Sequence, residues 1–255
     1  MKKFKVYFET CENIKKRKIS NIKLMITSPP YWDLKNYDAK NQIGYKEDYS
    51  TYMKRMNDVW KGVYSSLSGN GLAIININTK SFNKRLKLIP YDFIKQLQNI
   101  GFIFQDIQYW HKSSGIPASN NLKDNFEYFL FFSKSKNITF YKKNNYFDYK
   151  IKKKIENSNI WNINKKFGSV GKKFMVHPAV FPVEYIDRLL ELFTESEKDT
   201  ILDPFLGSGS TLISCMKLKR NFVGFELNNK EYKKLITENI KSYNLDPSRV
   251  EFKFM

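Results

Sequence analysis

The stretch "ILDPFLGSGSTLISC", Ile201 to Cys215, constrains the fold of this chain more than any other. An apolar run passes into a glycine-rich turn and then into a helix-forming segment, a strand–turn–helix unit. In an open α/β sheet, ligands bind at the carboxyl ends of the strands, where glycines let them approach the backbone closely. No Gly-Lys-Ser/Thr follows, so the loop is not a Walker phosphate loop. The dinucleotide fingerprint fails too: Gly207 and Gly209 fit, but Thr211 and Leu212 stand where its third glycine would be sought. Downstream, "NFVGFEL" puts Glu226 at the end of the next strand, 19 positions after Gly207. A carboxylate there accepts both hydroxyls of a ribose, so the pair points to a nucleoside-containing ligand without demanding a pyrophosphate.

Strand–helix alternation runs through most of the chain. "FKVYFET" and "KLMITS" read as strands. "DYSTYMKRMNDVWKGVYSSL" has apolar residues every three or four positions from Tyr52 to Leu67, an amphipathic helix. "LAIININ", "FIFQDIQYWHK", "NFEYFLFFSKS", "TILDPF" and "NFVGFEL" read as further strands. "IPYDFIKQLQNIG", "VFPVEYIDRLLELFT", "STLISCMKLK" and "NKEYKKLITENIKSYN" read as helices. This order predicts one α/β domain over residues 1–255 with a mixed, mostly parallel sheet. Segment Tyr141–Lys173 stands apart, with ten lysines against Asp148 and Glu156, net +8, and no long apolar period. It reads as a basic, partly irregular insertion outside the core.

Composition narrows the function classes. Two cysteines, Cys11 and Cys215, exclude a disulfide framework, and with only two histidines beside them a zinc site would need almost every candidate ligand in the chain. No metal is expected. No apolar run reaches the roughly 20 residues that span a bilayer, and the basic start lacks the apolar stretch of a signal peptide. A cytoplasmic protein without membrane contact is expected. The net charge of +19 suits a polyanionic partner, although Lys, Asn, Ile and Phe are raised together, as in an AT-biased genome.

A second motif, "TSPPYW" at residues 27–32, ends the strand "KLMITS". Proline donates no backbone hydrogen bond, so the strand must stop at Pro29-Pro30, in a stiff turn carrying a hydroxyl and two aromatic rings.

Together the two motifs carry a resemblance. "DPFLGSGST" resembles the S-adenosylmethionine loop of DNA amino-methyltransferases, and "TSPPYW" resembles their catalytic Ser/Asp/Asn-Pro-Pro-Tyr/Phe motif. The catalytic motif precedes the cofactor loop by about 170 residues, which is similar to the circularly permuted β class. "YWHKSSGIP…NFEYFLFFSKS" resembles the strand pair beside the target-base pocket, and "HPAVFPVEY" the helix start that covers the cofactor. The resemblance implies a Rossmann-like methyltransferase fold and S-adenosyl-L-methionine as cofactor. It implies double-stranded DNA as substrate, with a flipped-out base receiving the methyl directly.

The resemblance assigns Ser28, Pro29, Pro30 and Tyr31 to the target base and its amine, with Trp32 packing beneath. It assigns Asp203, Pro204, Phe205, Gly207, Ser208, Gly209, Ser210, Thr211, Glu226 and Leu227 to the cofactor. His177, Pro178 and Ala179 would close over it. The family's first-strand Gly-Asp pair is replaced by "FETCEN", where Glu9, Thr10 or Cys11 stands in toward the adenine. Lys112 beside Trp110 is a candidate phosphate contact, and the basic insertion a candidate DNA and target-recognition region. Serine at the head of the motif is typical of cytosine-N4 enzymes, aspartate or asparagine of adenine-N6 enzymes. Cytosine-N4 is therefore the expected target and adenine-N6 the alternative, ahead of an RNA or protein methyltransferase. Cytosine-C5 chemistry needs a cysteine nucleophile, and neither Cys11 nor Cys215 is placed for it. A homodimer and a cognate restriction endonuclease acting on the same site without stable binding are compatible partners, and DNA would hold the protein at the nucleoid.

Overall fold

The computed structural model describes residues 4–33, 36, 39–82, 85–112, 125–138, 146–148, 153–155, 159–163 and 182–254. In chain order the strands are β1 (Phe4–Phe8), β2 (Ile22–Thr27), β3 (Leu67–Ile77), β4 (Lys80–Phe82), β5 (Arg85–Lys87), β6 (Ile103–His111), β7 (Phe126–Ser133), β8 (Tyr146–Asp148), β9 (Lys153–Ile155), β10 (Ile160–Asn162), β11 (Thr200–Asp203), β12 (Asn221–Glu226) and β13 (Val250–Phe254). The helices are α1 (Tyr49–Ser66), α2 (Ile89–Ile100), α3 (Val183–Phe193), α4 (Ser210–Lys217) and α5 (Lys230–Ser242). A 3-10 helix, Cys11–Arg17, follows β1.

Nine strands form one sheet in the order β10-β6-β7-β3-β2-β11-β12-β1-β13, while β4–β5 and β8–β9 are separate hairpins. Only β7 runs against its neighbours β3 and β6; every other pairing in the large sheet is parallel. The expected mixed, mostly parallel α/β sheet is what the chain forms. Helices cover both faces, so β2 is buried along its whole length and carries the continuous apolar run of a doubly covered strand. One core joins α3, α4 and α5 to the sheet, and the other joins α1, α2 and the 3-10 helix to it.

Local chemistry sets the helix ends. Asp48 caps α1 by accepting from the Thr51 amide at 2.9 Å. Gly101 ends α2 at φ +114°, a conformation that suits glycine. Among the described residues, no helix is long and apolar enough to cross a membrane.

Two strands of the large sheet were not anticipated, and neither were the β4–β5 and β8–β9 hairpins. β13 alternates Val250, Phe252 and Phe254 with charged residues and pairs with β1, so its period-two pattern was present but short. β10 corrects the reading of 141–173 as lying outside the core. Ile160–Asn162 pairs in parallel with β6, Trp161 is buried, and the Ile163 carbonyl accepts from Trp110 Nε1 at 2.7 Å. A tryptophan side chain has enough apolar surface to hold one segment of a lysine-rich stretch in the sheet. Most of the remaining insertion lies outside the described residues.

Tyr185 on α3 joins these pieces. Its ring stacks on Phe129 at 4.0 Å and touches Trp161 at 4.8 Å, and its hydroxyl donates to Gln108 Oε1 at 2.6 Å. Tyr185→Phe keeps the ring and leaves a buried acceptor without that donor, so unfolding in denaturant should show a loss of about 1–2 kcal/mol. Tyr185→Ala should lose about 3–5 kcal/mol, because it also opens a cavity.

Candidate functional site

β2 and β11 are neighbours, with Leu24 opposite Ile201 and Met25 opposite Leu202. From this pair the sheet is wound outward both ways, to β3 beyond β2 and to β12 beyond β11. Such a reversal opens a crevice at the carboxyl ends of the two strands. The "SPPYW" turn leaves β2 into that crevice, and the glycine loop leaves β11 into it. Sheet pairing thus joins two motifs that are about 170 residues apart.

A cavity open to solvent lies there. Ser28, Pro30, Pro204, Phe205, Gly207, Glu226, Leu227 and Thr10 line it, all expected from the sequence, together with Glu9 and Cys11. Ala39, Gln42, Ile43, Phe225 and Tyr232 complete the wall and were not anticipated. His177, Pro178 and Ala179 lie outside the described residues.

Asp203 is not on this wall. It is 3% exposed, and both its oxygens are engaged. Oδ1 accepts from the Thr27 hydroxyl at 2.7 Å and the Phe205 amide at 3.1 Å, and Oδ2 accepts from the Thr211 hydroxyl at 2.7 Å. The carboxylate therefore pins the last residue of β2 to the loop and to the first turn of α4. Ser208, Gly209, Ser210 and Thr211 are buried behind the wall and shape the turn. Gly209 sits at φ +90°, where a Cβ would come within 3.3 Å of Ile236.

Glu226 stands at the tip of β12 in the cavity. Its Oε2 accepts from the Gly207 amide at 2.9 Å and its Oε1 from the Asn228 amide at 3.0 Å. The carboxylate keeps acceptor capacity for a ligand beyond these bonds. Burial pushes this carboxyl up to about 7 and that of Asp203 up to about 6, in both cases against the hydrogen bonds they accept.

At the opposite wall, Glu9 is bound by Arg17 Nε and by Asn13 Nδ2, the latter at 3.0 Å. Thr10 donates to Glu12 Oε2 at 2.8 Å. Burial pushes the Cys11 thiol up, so Cys11 contributes a small apolar surface and no thiolate. Arg55 fastens the cover of the cavity. It donates to Glu12 Oε2 at 2.8 Å, to the Asn41 carbonyl at 2.9 Å and to the Gln42 carbonyl at 3.3 Å, and it pairs with Glu47. These bonds hold Gln42 and Ile43 against the ligand space.

The proline turn is held as firmly. The Pro30 carbonyl accepts from the Tyr52 hydroxyl at 2.8 Å, and buried Trp32 donates to the Glu47 carbonyl at 2.9 Å. Tyr31 lies outside the cavity lining. Its hydroxyl lies 3.1 Å from Asn76 Oδ1 on β3 and 3.0 Å from Glu127 Oε2 on β7. Glu127 Oε1 takes Lys112 at 2.9 Å, so Lys112 is ion-paired beside the turn. Thr27 and Asn76, each a polar residue inside an apolar strand, were the available sequence signal for these contacts.

Both Asp203 and Glu226 bind a proton more tightly in the folded state than in the unfolded one. Their contribution to stability is greatest at acid pH and is lost as pH rises from about 4 through about 7. Asp203→Asn should remove about 3 kcal/mol of that pH dependence between about pH 4 and 6, seen in urea midpoints measured across pH.

Comparison with known proteins gives the site its context. Over 283 residues the chain is 30% identical to the Type II methyltransferase M.MjaI of Methanocaldococcus jannaschii, covering 92% of this chain and 90% of that protein. It spans 32% of a longer relative, the Type II methyltransferase M.MwoI of Methanothermobacter wolfeii, at 28% identity over 86% of this chain. Two solved structures share the fold. TTHA0409 of Thermus thermophilus, complexed with S-adenosyl-L-methionine, superposes with a TM-score of 0.72 at 22% identity, covering 98% of each chain. The cytosine-N4-specific PvuII DNA methyltransferase does so at 0.69 and 17% identity, covering 97% of this chain and 94% of that one. Residues 22–238 match the sequence profile of the N6/N4 DNA methylases, and the chain belongs to that family.

Proposed function

We propose that the protein methylates the exocyclic N4 amine of cytosine in double-stranded DNA, with S-adenosyl-L-methionine as donor. The observation that carries this reading is the meeting of the Ser28 turn with the Gly207–Glu226 wall in one cavity. The residues fit the donor. Glu226 offers lone pairs to ribose hydroxyls, Gly207 admits a ligand close to the backbone, and Phe205, Phe225, Ile43 and Leu227 supply apolar walls for a purine. When bound, the donor supplies an electrophilic methyl group.

An exocyclic amine on a base is a poor nucleophile, because its lone pair is delocalised into the ring. Acceptors on its two hydrogens favour the pyramidal nitrogen that attack requires. The Ser28 hydroxyl and the Pro29 carbonyl take that acceptor role, on a turn that the Tyr52 bond to the Pro30 carbonyl holds in place. Rigid prolines fix both directions before the substrate arrives. The target atom is inaccessible in a duplex, so the base must be extruded. Tyr31, held through its hydroxyl by β3 and β7, presents its ring as a stacking surface. The +19 charge, with the lysines of 141–173, supplies phosphate contacts. As a Type II modification enzyme it would share its site with a restriction endonuclease.

Serine at position 28 supports cytosine over adenine, as does the fold shared with the cytosine-N4-specific PvuII enzyme. Nuclease digestion of methylated DNA followed by mass spectrometry decides the base. N4-methylcytosine is expected, and N6-methyladenine as sole product would refute the cytosine assignment. Ser28→Ala should slow single-turnover transfer by about 100-fold or more while the donor dissociation constant stays unchanged. Equal loss of both would make the serine structural.

A further inference from the structure

The β4–β5 hairpin follows the carboxyl end of β3, at the same end of the sheet as the Ser28 turn, and one of its faces is committed to that turn. Lys80 Nζ donates to the Asp33 carbonyl at 2.8 Å, and the Phe82 ring lies 4.7 Å from that of Trp32. Lys87 Nζ stands 4.8 Å from the Tyr49 ring centroid and 5.8 Å from that of Trp32. The antiparallel register pairs Lys80 with Lys87, Ser81 with Leu86 and Phe82 with Arg85. Lys80, Phe82, Arg85 and Lys87 therefore share one side, and Ser81 and Leu86 the other.

On the outer side Leu86 stands where solvent should favour a polar residue. Leu86 is 60% exposed, and beyond the hairpin Leu88 is 46% and Tyr91 47% exposed. A cluster of this kind marks a surface that meets a partner. Residues 80–88 also carry Lys80, Lys84, Arg85 and Lys87 and no acid. An exposed leucine in a segment with four basic residues and no acid suits a polyanion with an apolar interior, and the base stack of duplex DNA is one.

We propose that this hairpin is the element that separates the strands, with Leu86 entering the base stack beside the extruded target and Arg85 binding a flanking phosphate. The proposal rests on the reading of the protein as a duplex-DNA methylase. Extrusion costs unpairing and unstacking, and an apolar side chain filling the gap offsets part of that cost. The contacts to Trp32, Asp33 and Tyr49 hold the wedge at a fixed offset from Ser28, which a wedge on an untethered loop would lack.

The test uses the full chain and a duplex carrying the site mapped by sequencing methylated product. Transfer by wild type and Leu86→Ala is compared on this duplex and on one with an abasic site opposite the target, where no pairing must be broken. Leu86→Ala should transfer about 10-fold more slowly on the intact duplex and within about twofold of wild type on the abasic one. Arg85→Ala should weaken DNA binding and reduce its salt slope by about one. Equal loss by Leu86→Ala on both duplexes, or loss on neither, overturns the wedge. A changed sedimentation coefficient for Leu86→Ala, with equal loss, would assign the patch to an interface between two copies and overturn it as well. Wild-type protein that methylates no duplex DNA, leaving no site to map, would refute the methylase reading itself, and the wedge with it.

Discussion

A single buried carboxylate holds the two halves of the site together. Asp203 ends β11 and takes hydroxyl protons from Thr27 on β2 and Thr211 on α4, with both contacts at 2.7 Å. Removing a carboxylate from water is costly, and the raised proton affinity of Asp203 measures that cost. Three hydrogen bonds offset it. What the fold gains is registration: the residue before Ser28 and the helix after the glycine loop cannot slide past one another. The same oxygen that accepts from Thr27 also accepts from the Phe205 amide, so the loop bends at a defined point into the cavity.

Around this pin the site is built from parts held on every side. The proline turn is fixed by Tyr52 and Trp32, and the cavity cover by Arg55. Tyr31 is fixed by a chain through Glu127 to Lys112. Amine methylation has little use for a mobile acid or base. It needs acceptors aimed at two hydrogens and a ligand space that positions an electrophile. Rigid placement is what these contacts supply. Glu226 serves the same end on the cofactor side, because the Gly207 amide ties its carboxylate to the loop that it faces.

Much of the fold was legible because burial leaves periodic marks. The apolar runs of β2, β3 and β7 and the three-to-four spacing of α1 are local consequences of covering both faces of a sheet. β13 repeats every second residue over only five positions, a pattern too short to stand out from loop. β10 was hidden because its buried residues, Trp161 and Ile163, alternate with asparagines over a few positions of a lysine-rich stretch. In the site, the residue types of "SPPYW" and "GSGST" were informative because few other side chains perform those roles. The fate of Asp203 was not. As a sequence letter it read as a cofactor contact, whereas its partner Thr27 reaches it only when two strands pair across 176 residues, and Thr211 only when the glycine loop folds back on β11.

The sequence alone determined most of the strands and helices, that a glycine-rich strand–turn–helix unit follows a rigid hydroxyl-bearing turn, and that the chain is strongly basic. These follow from side-chain size, polarity and backbone freedom, which act over a few residues. Tertiary structure decided that β2 lies beside β11, that Lys112 is spent on Glu127, and that Arg55 closes the cavity. It also decided that exposed Leu86 rides on a hairpin bolted to the proline turn. The physical reason is that strand order and hydrogen-bond partnership depend on which distant segments share a sheet edge, and no local propensity encodes that choice.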